Sequence, residues 1–142
     1  MKVYFTCSPK KLYELREYYK KIRSALIQNG HEVVADWLPS GIDRHSPSGV
    51  RTKIDRKEFY KKIEENIKTC DILLVEGTID SMSLGWQIAK ALMYDKEVVF
   101  LQITQEDIPP IHPFVEGIMS PRIKYGQYSL ENVEKIIREL VN

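Results

Sequence analysis

Short apolar runs alternate with amphipathic stretches from the first residue onward. Val3-Tyr4-Phe5-Thr6 is a β-prone run ended by Ser8-Pro9. Leu15, Tyr18, Ile22, Ala25 and Leu26 then fall at helical spacing, and Asn29-Gly30 supplies the stop. Glu32–Asp36 reads as a second buried strand. Asp55-x-x-Glu58 resembles a capping box, opening a helix whose stripe is Phe59 or Tyr60, Ile63, Ile67 and Cys70. Asp71–Val75 is a near-continuous apolar run of the kind buried in parallel sheets. Leu84, Ile88, Ala91 and Leu92 mark a third helix, and Glu97–Leu101 a fourth strand. Arg122–Tyr125 is a short edge strand, and Ser129 is placed to cap a last helix carrying Leu130, Val133, Ile136, Ile137 and Leu140. The segment from Leu38 to Lys53 holds Pro39, Gly41, Pro47 and Gly49 without an apolar period, and is predicted to be a long loop.

This alternation predicts an α/β fold: a flavodoxin-like, doubly wound parallel sheet in one three-layer α/β/α domain over residues 1–142. Ligands of such sheets sit outside the carboxyl ends of the strands. The loops of interest are therefore Thr6–Lys11, Trp37–Lys53, Glu76–Ser83 and Gln102–Pro113.

Composition narrows the picture. The chain of 142 residues is 43% hydrophobic and 29% charged, long enough for one core. Its net charge of +1 gives no general pull toward nucleic acid or an acidic membrane. Cys7 and Cys70 lack metal-ligand spacing and border apolar runs, which fits reduced cysteines in a cytoplasmic protein. No apolar stretch approaches the length of a membrane span.

Two loops have anion-binding character. Ser8-Pro9-Lys10-Lys11 joins a hydroxyl and two cations to a helix start. Glu76–Gln87 supplies Thr78, Ser81 and Ser83 with Gly77 and Gly85, again ahead of a helix. A capped helix with solvated lysines is the plainer account of either loop alone. Neither is a Walker or dinucleotide-binding glycine loop. The long loop adds Arg44, His45, Arg51, Lys53, Arg56 and Lys57, a basic segment suited to close on a phosphate or simply to face solvent. His112, beside Pro113, reads as structural.

Three motifs in order resemble the nucleoside 2-deoxyribosyltransferase family, most closely its branch of 2'-deoxynucleoside 5'-monophosphate N-hydrolases. They are Tyr4-Phe5-x-x-Ser8-x-Lys10, Cys70-Asp71-Ile-Leu-Leu-Val-Glu76-Gly77-Thr78, and Ser81-x-x-x-Gly85-Trp86-Gln87-Ile88-x-x-Ala91. The resemblance implies that Tyr4 orients the catalytic carboxylate. It gives Ser8, Lys10 and Ser81 to a 5'-phosphate within a substrate site that includes Gly85, with Ser120 lent by a neighbouring subunit. It further implies a nucleoside 5'-monophosphate as ligand, a homodimer, and no cofactor or metal. A serine at position 81, where nucleoside-specific members tend to carry aspartate, favours the phosphorylated ligand.

The family's nucleophilic glutamate falls on Gln87, and its second acid on Ile63. An amide neither attacks an oxocarbenium-like centre nor offsets its charge as a carboxylate does. The expectation is thus a nucleoside monophosphate site with N-glycosidic hydrolysis or transfer as the family reaction, any activity resting on a displaced acid. Glu76 is the first candidate for that acid, then Glu64 or Glu65. The alternatives are a catalytically inactive nucleotide sensor or regulatory protein, and a TIR-like NAD-processing or signalling domain.

Overall fold

A computed structural model describes residues 1–142. Five parallel strands form one sheet in the order β2-β1-β3-β4-β5, with β1 at Lys2–Cys7, β2 at Glu32–Val33, β3 at Ile72–Glu76, β4 at Glu97–Ile103 and β5 at Ile123–Tyr128. This is the flavodoxin-type order, which reverses direction between β1 and β3 and opens a crevice there. The helices are α1 at Arg16–Gln28, α2 at Leu38–His45, α3 at Arg56–Thr69, α4 at Met82–Met93, α5 at Pro113–Glu116 and α6 at Val133–Leu140. None is long and apolar enough to cross a membrane.

Strand alternation splits the core in two. Val3, Phe5 and Cys7 of β1 with Ile72 and Leu74 of β3 face α1 and α6. Tyr4, Leu73, Val75, Val98 and Phe100 face α3 and α4. The pairing register Cys7–Glu76–Leu101 therefore belongs to the first face, and Thr6–Val75–Phe100 to the second.

The predicted helices and strands appear, with three corrections. The segment from Leu38 to Lys53 is not all loop: α2 occupies its first half, buried through Leu38, Gly41 and Ile42. Pro39 sits in the first turn, where its missing N–H costs nothing. Gly41 is needed because a Cβ there would lie 2.7 Å from the Trp37 ring. The second strand stops at Val33, since Ala35 turns to a φ of 48° and Asp36 swings out to pair with Arg23. Finally, α6 begins only at Val133; Ser129 donates its backbone N–H to Asn132 Oδ1 instead of capping the helix with its side chain. The Asp55 cap is present, its carboxylate accepting from Glu58 N at 3.0 Å.

Candidate functional site

The carboxyl end of β1 runs into a single 3-10 turn, Pro9–Lys11, capped by Ser8 Oγ accepting from Lys10 N at 3.3 Å. The turn aims Lys10 across the crevice, where Nζ donates to the backbone carbonyl of Asp80 at 3.2 Å. Asp80 belongs to the loop after β3, and the next residue, Ser81, is the extended N-cap of α4 with φ −152° and ψ 134°. The Ser81 side chain makes no capping bond, so its hydroxyl and the first amides of α4 are left for another acceptor. A cation, a hydroxyl and a helix amino end thus converge at one place.

They stand on the wall of a cavity of about 490 Å³. Lys10, Asp80, Ser81 and Gly85 form its polar side, while Phe100, Ile88, His112 and Phe114 contribute rings and apolar surface. Gly77 is also part of the wall, and the Phe100 ring packs against it so closely that a Cβ would sit 2.1 Å away. Across the opening, α5 is capped by His112, whose Nδ1 accepts from Phe114 N at 3.2 Å. That bond assigns the ring proton of the neutral imidazole to Nε2. Phe114 is 86% exposed despite lining the cavity, its ring meeting only the His112 ring edge-on at 5.5 Å. Asp80 supplies the wall's one carboxylate.

Gln87 and Tyr4 lie behind this wall, on the α3/α4 side and outside the lining. Gln87 is 3% exposed; Nε2 donates to Ser83 Oγ at 3.0 Å and Oε1 has no partner. Burial pushes the Tyr4 hydroxyl up to about 12, with Asn66 and Thr6 pulling the other way. Ile63, where the family's second acid falls, packs against the same apolar cluster.

Glu76 occupies the opposite face. In register with Cys7, it points toward α1 and α6, is 0% exposed and does not line the cavity. Its carboxylate accepts from Thr78 Oγ1, from Thr78 N at 3.4 Å and from Tyr128 Oη at 3.1 Å. Burial pushes its pKa up to about 7, while these donors pull it down. The sheet separates it from Gln87, so Glu76 is not placed to replace a missing nucleophile. Glu64 accepts from Tyr94 Oη at 2.5 Å and pairs with Lys90 at 3.5 Å, so it is engaged elsewhere.

Of the residues singled out from sequence, Lys10, Ser81 and Gly85 meet in one cavity, with Ser8 shaping the turn that carries Lys10. Ser120 precedes β5, at the amino end of a parallel sheet, and its Oγ accepts from Arg122 N at 3.2 Å. It is thus remote from Lys10 within its own chain. None of the six basic residues between Arg44 and Lys57 lines the cavity, so a basic lid is not what the structure presents. Sequence reasoning missed Asp80, Phe100, His112 and Phe114. The exposed Phe114 between prolines was a signal; the others become visible only when the loops are brought together.

The chain matches no protein-family model, and no curated protein matches it in sequence. Among solved structures it resembles the CMP N-glycosidase BcmB of Clostridium botulinum, with a TM-score of 0.62 over 98% of each chain and 14% identity. The α/β fold is therefore one that a nucleotide N-glycosidase also uses.

Proposed function

We infer that this protein binds a nucleoside 5'-monophosphate in the cavity between the β1 and β3 loops. The observation that carries the reading is the convergence of Lys10, the free Ser81 hydroxyl and the α4 amino end on a cavity with aromatic surface. The phosphate takes the Lys10–Ser81 end, where charge-assisted bonds are strongest. The base takes the side formed by Phe100, His112 and Phe114, and the cavity has the volume of small-ligand sites. With an amide at position 87 and an isoleucine at position 63, this reading is one of binding, in a sensor or regulatory protein on an N-glycosidase-like fold. Ser120 takes part in it only if lent by a second copy of the chain.

One observation favours a second reading, in which an N-glycosidic bond is hydrolysed: Asp80 puts a carboxylate in the cavity wall. A carboxylate there supplies the charge that an oxocarbenium-like sugar needs, or activates a water.

The deciding experiment incubates the protein with CMP, dCMP and the purine monophosphates, following thermal shift and free base by chromatography. The binding reading expects a shift without base release. Lys10→Ala, at an exposed position, is expected to weaken affinity about tenfold with little change in folding. Base release that disappears in Asp80→Asn would establish the second reading, and Gln87→Glu beside it would show whether the lost acid can be restored. No shift with any monophosphate would sink both.

A further inference from the structure

Glu76 is a fully buried carboxyl at the centre of the sheet, with no cation near it. The titratable groups facing it are Cys7 from β1, Tyr19 from α1 and Tyr128 from β5. From β4 and α6 only apolar residues pack on that face, among them Leu101, Val133 and Ile137. No lysine, arginine or histidine is buried anywhere in the chain. Burial and the neighbouring Glu76 carboxylate drive the Tyr19, Tyr128 and Cys7 groups upward, so all three stay neutral. A carboxylate in such surroundings is costly unless bonds hold it.

Those bonds lead to the ligand cavity. Thr78 binds the carboxylate through both its hydroxyl and its backbone N–H, and its hydroxyl oxygen also accepts from Ile103 N at 2.9 Å. Gly77 N donates to Leu101 O at 2.8 Å. The chain is thus pinned at Gly77 and Thr78, and the next three residues, Ile79, Asp80 and Ser81, line the cavity opposite Lys10. Three donors converge on the Glu76 carboxylate, the Thr78 N–H and the Thr78 and Tyr128 hydroxyls, and each bonds more strongly to the charged form.

We propose that Glu76 is a positioning residue: its carboxylate clasps Thr78 and holds residues 77–81 in the shape that lines the cavity, so that protonating it loosens the loop and weakens ligand binding. This rests on the monophosphate reading for the ligand, but not for the clasp itself. A carboxyl pushed up to about 7 gains its proton within the physiological range. The clasp then loses its charge-assisted bonds to Thr78, and the carboxyl O–H it gains turns to the hydroxyl oxygen of Tyr19 or Tyr128 instead.

The test pairs two readouts on the wild type and Glu76→Gln between pH 6 and 8. The glutamine keeps the shape and one acceptor oxygen but replaces the other with an amide NH2, a donor that meets Thr78 N–H, so it imitates the protonated state. In hydrogen exchange, the Thr78 and Ile103 amides of the wild type are expected to lose protection below pH 7, after correction for intrinsic rates, while those of the variant stay poorly protected throughout. In calorimetry with CMP, and with inorganic phosphate as the minimal probe, the variant is expected to bind about tenfold more weakly at pH 8, the worth of one charge-assisted bond. At pH 6 the two proteins are expected to converge. The ligand's own phosphate titrates identically in both, so the difference between them isolates Glu76. Equal protection and affinity at every pH would overturn the proposal. If neither protein binds CMP or phosphate, the monophosphate reading falls, and the exchange data alone decide the clasp.

Discussion

Glu76 and Gln87, buried on opposite faces of the sheet, are bonded in opposite ways. On the α1/α6 face, Glu76 is enclosed by donors and each oxygen has a partner. On the α3/α4 face, Gln87 is as deeply buried, yet its Oε1 has none. A buried group with all its bonds made holds the scaffold together. A buried acceptor left without one, beside an open cavity, costs stability that a well-packed fold avoids. Reactive potential is thus a poor guide to placement here: the carboxylate is enclosed in the frame, and the amide is on the α3/α4 side, behind the cavity wall.

The largest effect that bears on this comparison is on stability against pH. Glu76 in the fold has a pKa near 7, above its ordinary value of 4.5, so folding favours its neutral form. Its stabilising share is complete below about pH 4.5 and is lost as pH rises through 7, by roughly 3 kcal/mol. Urea unfolding across pH 4.5 to 8.5 is expected to show that decline in the wild type and not in Glu76→Gln. The variant is therefore expected to be the more stable protein at pH 8 while binding the weaker. Parallel curves would mean that the carboxylate is solvated, and the contrast between the faces would fail.

Next in size is Gly77→Ala. The added Cβ meets the Phe100 ring at 2.1 Å, and that ring is both core and cavity wall. Overpacking of this kind costs about 2 kcal/mol and moves the ring into the cavity. The expected result is a lower urea midpoint together with loss of CMP-dependent thermal shift. If stability dropped with ligand affinity unchanged, Phe100 would belong to the scaffold alone.

Much of this architecture could be read from residue order, and the failures have physical causes. Strand-and-helix alternation fixed the sheet type because each buried strand is a nearly unbroken apolar run, as in Ile72–Val75. The α2 helix was missed because Pro39 and Gly41 look like breakers, whereas one sits where no N–H is needed and the other makes room for Trp37. Lys10, Ser81 and Gly85 were legible because they flank strand ends that any doubly wound sheet brings together. The side taken by Glu76 was not. Strand parity puts it with Ile72 and Leu74, but parity cannot say which helices cover that face. The wall made by His112 and Phe114 was hidden for a similar reason, since a connection of nine residues separates α5 from β4.

The smallest expected effect falls on Gln87, and it probes the comparison most directly. Gln87 Nε2 donates to Ser83, while Oε1 is buried without a partner. Replacing the amide by leucine removes one ordinary hydrogen bond, worth about 1 kcal/mol, but also relieves the desolvation of an unpaired acceptor, which is of similar size. Gln87→Leu is therefore expected to leave the unfolding free energy within about 0.5 kcal/mol of the wild type, a near cancellation readable by urea denaturation. The equivalent removal on the other face, Thr78→Val, strips Glu76 of a donor and Ile103 N of its acceptor, so no cancellation is available there. A loss of more than about 2 kcal/mol in Gln87→Leu would mean that Oε1 is satisfied in solution. A buried water would then be its partner, and Gln87 would match Glu76 in having each oxygen engaged.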